Sequence, residues 1–125
     1  MKNRTRLLIA GISLLLLSVT ACTHDPVGVD TQPEICYGTD VKPIILANCA
    51  KSGCHSGDSE SDLSSDAGIM RYVTPFNPDQ STLYTVITST WLNPMPPSPN
   101  PALTQQQRTT IALWILQGAN TSCGK

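Results

Sequence analysis

The chain has 125 residues, with eight Lys or Arg against nine Asp or Glu and 40% apolar residues. That length gives room for one domain. The basic residues are scattered beyond the N-terminus, so no basic face for nucleic acid or for an anionic membrane surface is expected.

In chain order, Lys2, Arg4 and Arg6 precede an apolar run from Leu7 to Leu17, which Val19-Thr20-Ala21-Cys22 closes. This order predicts a secretory signal over residues 1–21. It resembles the lipobox of bacterial lipoproteins, in which the cysteine becomes the lipidated first residue. The alternative is an uncleaved anchor, for which the run is short, since a span takes about 20 residues. Cleavage before Cys22 leaves five basic and nine acidic residues, net −4. The expected location is extracytoplasmic, on a bacterial membrane through the lipid alone. Thr23 stands where Asp accompanies inner-membrane retention in enteric bacteria, which favours the outer membrane.

Residues 22–33 carry His24 and the Pro/Gly-bearing stretch to Gln32, and read as a lipidated tether. The domain covers residues 34–125. Its first helix is expected to start with Thr39 or Asp40 as N-cap, with Pro43 in the first turn, where a missing N–H is tolerated. Val41, Ile44 and Ile45 lead down it toward Cys49. A weaker helical turn is expected over Asp66–Tyr72. A middle helix starts at Asp79 or Ser81 and carries Leu83, Val86 and Ile87. The last helix has a capping box, Thr104 with Gln107, an apolar stripe of Ile111, Trp114 and Ile115, and Gly118 near its end. No alternating strand pattern occurs, so the fold class is all-α. The stretch Ser56–Asp66 has acidic residues at alternate positions, but Leu63 and Ile69 occupy the Gly and Glu positions of a calcium loop. It reads as a solvated loop.

The chemistry centres on Cys49-Ala-Lys-Ser-Gly-Cys54-His55. A histidine directly after the second of two cysteines is the arrangement that attaches haem through two thioethers and one axial ligand, although the standard motif spaces the cysteines by two residues rather than four. His55 is the one histidine of the domain and the proximal-ligand candidate. A ligating imidazole usually donates its other nitrogen to a carbonyl. A methionine as second axial ligand raises the potential of such a haem. Met70 lies among apolar neighbours and reads as core filler. Met95 lies in Asn93-Pro-Met-Pro-Pro-Ser-Pro99, where flanking prolines restrict the backbone, and is the distal candidate. In an oxidising compartment, Cys36 and Cys123 are then left for each other. Four cysteines nevertheless allow three connectivities, so the pairing stays open.

Val41-Lys-Pro-Ile-Ile-Leu46 before the motif, Ser81-Thr-Leu-Tyr84, Met95-Pro-Pro97, Ala112-Leu-Trp-Ile115 and Gly118-Ala119 follow in order. In these segments the chain resembles small monohaem c-type cytochrome domains of bacterial lipoproteins, related to planctomycete-type cytochromes. The resemblance implies a small cytochrome c-like helical domain around one covalently attached haem c. It implies Cys49 and Cys54 as attachment residues, His55 and Met95 as iron ligands, and first and last helices that cross near the haem edge. The expected function is one-electron transfer between redox partner proteins, without enzymatic turnover. Ile44, Ile45, Tyr84, Leu92, Ile111, Trp114 and Ile115 are expected to form the apolar wall. Two alternatives stand beside it. One is a cofactor-free lipoprotein with Cys49–Cys54 as a second disulfide; the other is a zinc or copper module, which lacks a fourth ligand.

Overall fold

The computed structural model describes residues 28–57, 59–91 and 93–124. The signal segment, Cys22, His24 and Leu92 lie outside the described residues. Among the described residues every regular element is a helix or helical turn and none is a strand, so the fold is all-α. Among the described residues no helix is long and apolar enough to cross a membrane.

A short 3-10 turn, Val29–Thr31, comes first. The first helical run then begins earlier than its sequence signals suggest. A π-turn, Tyr37–Val41, continues directly into α1 (Lys42–Asn48), and Cys36 is the N-cap in place of Thr39 or Asp40. Asp40 acts from inside the turn, its carboxylate accepting the Cys36 N–H at 2.8 Å. Pro43 gives a physical reason for the wider turn. In a regular helix its ring would crowd the carbonyl four residues back, and a π-turn relieves that crowding.

Helix α2 (Asp66–Met70) is capped by Ser65, whose Oγ accepts the Gly68 N–H at 3.1 Å. Helix α3 (Thr82–Thr88) follows a 3-10 turn, Pro78–Gln80. Ser81 between them is fully buried. It takes the Thr74 N–H on its hydroxyl oxygen, and its hydroxyl lies within donating distance of the Asn77 and Thr74 carbonyls. Helix α4 (Gln105–Leu116) carries the complete capping box, with Thr104 N–H on Gln107 Oε1 at 2.8 Å and Gln107 N–H on Thr104 Oγ1 at 3.2 Å. Gly118 ends it at φ +102°, a conformation that suits glycine.

The core gathers Val41, Ile45, Ile69, Leu83, Ile87, Ile111, Trp114 and Ile115. Trp114 stacks on Tyr37 with ring centroids 5.3 Å apart and donates its indole N–H to Asn120 O at 2.9 Å. The first helical run and α4 therefore meet through an aromatic pair. Cys36 and Cys123 form a disulfide across 87 residues of sequence, with Cα atoms 5.4 Å apart. Beside it, Gln117 accepts the Ile35 N–H and donates to Pro33 O, at 2.8 and 2.9 Å. One end of the domain is thus clasped shut.

Candidate functional site

At the other end of the first helical run the chain turns into the cysteine loop. Cys49 follows α1 and keeps a helical bond to Ile45 O at 2.8 Å. Its own carbonyl accepts two N–H groups, from Lys51 at 2.8 Å and from His55 at 3.2 Å. Cys54 N–H closes on Lys51 O at 2.9 Å. The residues between the cysteines therefore form a self-closed bulge, and Gly53 takes φ +78° within it, which glycine adopts at little cost. The Cys49 carbonyl thereby stays bonded to the residue that follows Cys54.

His55 is half-buried, with Nδ1 3.0 Å from the Ser61 carbonyl. A carbonyl only accepts, so this bond requires the proton on Nδ1 and leaves the Nε2 lone pair for another partner. Leu63 N–H bonds back to His55 O at 2.9 Å, and Leu63 is itself buried. The stretch expected as a solvated loop is a loop with Gly57, Glu60, Ser64 and Ser65 exposed, but Leu63 and the Ser61 carbonyl turn in against the histidine. Asp62 stabilises that course by accepting the Gly57 and Ser64 N–H groups, and bonding from Ser64 holds its carboxyl below the usual range. Gly68 is needed for the same packing, since a Cβ there would overlap the Asp62 carbonyl oxygen. Neither Ser61 nor Gly68 carries a sequence signal for this role, because a backbone carbonyl and a missing Cβ act only through tertiary contact.

The loop opens on a cleft of about 340 Å³, within the size range of small-molecule sites. Cys49, Cys54 and His55 line one part of it. Met95, Pro96 and Pro97 line another, and Leu63, Tyr72, Leu83, Val86 and Ile87 supply apolar wall. Met95 N–H bonds to Val86 O at 2.9 Å, which ties the Pro-rich loop to α3. The four residues expected at the site, from two separate stretches, thus share one cleft. Met70 is partly buried against the core and lines no part of the cleft.

The expected wall needs correction. Ile45, Ile111, Trp114 and Ile115 are buried in the core, and Ile44 and Tyr84 pack at its margin. None of the six lines the cleft. Helical periodicity marks which side chains leave water, but α3 and the loop over His55 decide which of them face the cleft.

Cys49 and Cys54 are both free thiols, the first buried and the second exposed. Burial pushes the Cys49 thiol up, with neighbouring Cys54 adding to the effect and Lys51 opposing it. Among the described residues no three His, Cys, Asp or Glu side chains gather as an ion cage would need. A haem iron takes its equatorial ligands from the porphyrin and asks the chain for axial ligands only. An oriented imidazole, a thioether, two free thiols and a mostly apolar wall on one cleft fit that group.

No protein-family model, curated protein or solved structure matches this chain.

Proposed function

We propose that this chain is a monohaem c-type cytochrome that carries single electrons. Cys49 and Cys54 would form the thioethers, His55 the proximal bond through Nε2, and Met95 the distal bond through sulfur. The haem, when bound, supplies the one-electron exchange. The chain's own part is to orient the imidazole through Ser61, to present the thiols, and to keep water from one face with Leu83, Val86 and Ile87. The observation that carries this proposal is the His55–Ser61 hydrogen bond on a cleft shared with Cys49, Cys54 and Met95. Both thiols are free, which thioether attachment requires. Lipid on Cys22 would hold the domain outside the cytoplasm, where redox proteins of a respiratory chain are its partners.

The test is production with cytochrome maturation machinery, followed by a haem-stained denaturing gel and the spectrum of the reduced protein. A stained band with a sharp c-type absorption is expected. A colourless band, with intact mass equal to the polypeptide after reduction, would sink the proposal.

A further inference from the structure

Trp91 is 93% exposed. Its indole has no hydrogen-bond partner among the described residues, and its backbone N–H only reaches Ser89 Oγ at 3.4 Å. An isolated exposed leucine needs no explanation, but a fully exposed tryptophan beside a functional cleft does. Trp91 belongs to the loop that carries Met95, Pro96 and Pro97 into the cleft. The chain segment around it is uncharged. No Asp, Glu, Lys or Arg occurs from Gln80 to Gln107, which includes all of α3 and the whole Pro-rich loop. Lys51 is the one charged side chain lining the cleft. This contrasts with the acidic excess of the chain beyond residue 21.

We propose that this uncharged segment, α3 with the Pro-rich loop, is the docking face for a protein redox partner, with Trp91 as its anchor, and that the partner meets it with an apolar, uncharged contact core. The proposal rests on the cytochrome assignment above. Interface cores are depleted in charge, and tryptophan is among the residues that carry most of their binding energy. A charged partner patch would lose its hydration here and find almost no counter-charge, which disfavours it. A lipid surface is the weaker occupant. The first helical run is about 18 Å long at 1.5 Å per residue; the chain enters at its Tyr37 end, and the cleft opens at its Cys49 end. An anchor preceding residue 28 therefore joins the domain at the Tyr37 end, opposite the end at which the cleft opens.

The experiment uses the haem-loaded full chain and its Trp91→Ser and Trp91→Phe variants. Electron exchange is followed optically with membrane-containing extract of the organism that makes the protein, at low and high salt, and with ascorbate as a small reductant. Trp91→Ser is expected to slow exchange with the extract by about tenfold or more, the loss of one interface anchor. Trp91→Phe should recover part of the rate, and the ascorbate rate should not change. The wild-type rate should vary by less than about twofold with salt, since the docking segment carries no charge to steer the encounter. Equal rates for wild type and Trp91→Ser, no exchange with the extract at all, or a steep fall with salt would each overturn the docking face. Trp91-dependent binding of a Cys22→Ser chain to phosphatidylcholine vesicles would overturn it in favour of lipid. Absence of the haem stain would instead remove the cytochrome assignment, and this proposal with it.

Discussion

The Tyr37 end of the first helical run is held by a disulfide, two Gln117 hydrogen bonds and the stacked Tyr37–Trp114 pair. The Cys49 end opens into a cleft whose loops are held by hydrogen bonds alone, from the backbone and from His55 and Asp62. At the first end, Asp66 also accepts from the Tyr37 hydroxyl at 2.8 Å and pairs with Lys42 at 2.7 Å. Burial, followed by the Asp66 carboxylate, pushes the Tyr37 phenol well above its ordinary value. At the second end, His55 Nε2, two thiols and a thioether are left with bonding capacity to spend. The difference shows how a small domain with six aromatics separates its duties. Covalent and aromatic staples at one end let the other keep an unfilled apolar cleft, which a core of this size would not otherwise sustain.

That division can be broken from either side. Replacing the staple, Cys36→Ser with Cys123→Ser, should lower stability by about 4 kcal/mol on the loop-entropy model for so long a loop. Urea unfolding followed by tryptophan fluorescence measures it. A loss near zero would show that the aromatic pair and the Gln117 clasp suffice.

From the cleft side, Met95→Ala in the haem-loaded protein should lower the reduction potential and let CO bind the reduced iron. The same variant, unfolded as apoprotein, should move far less than the disulfide variant, because Met95 packs at the margin of the core. Titration and CO difference spectra give the first result. An unchanged reduced spectrum would take Met95 out of the site.

The smallest effect sharpens the stapled end further. A hydrogen bond from Lys42, with a second from Tyr37, holds the Asp66 carboxyl below its ordinary range. A depressed carboxylate contributes stability above its unfolded value, near 3.9, and that contribution is lost as pH falls through the folded value. Asp66→Asn should therefore cost a small amount of stability at neutral pH, small because the group is half exposed, and converge with wild type below about 4, so that its acid limb is flatter. Unfolding midpoints between neutral and acid pH test it. An acid limb identical to wild type would remove the carboxylate from the account.

Local signals were legible where one short stretch contains both partners. Thr104 and Gln107 cap α4 from three residues apart, and Gly53 supplies the positive φ that the longer cysteine spacing asks for. The start of the first helix was harder to see. Asp40 has the chemistry of an N-cap, yet its carboxylate serves Cys36 from within a π-turn, because Pro43 two residues into α1 disfavours a regular turn before it. The stretch Ser56–Asp66 was legible only in part, for a different cause. Its polar composition matches a solvated loop, while a single leucine, Leu63, and the Ser61 carbonyl decide its course over His55.

By itself the sequence determined the helical class, the segments that carry Cys49, Cys54, His55 and Met95, and two cysteines available for a staple. These follow from residue type and short spacing, which act through local backbone chemistry. Only the tertiary structure decided that Cys36 joins Cys123, that those four side chains share one cleft, that Ser61 holds the imidazole, and that α3 walls the cleft while Trp91 stands clear beside it. Each of these depends on which distant surfaces pack together, and burial periodicity is blind to the identity of the neighbour.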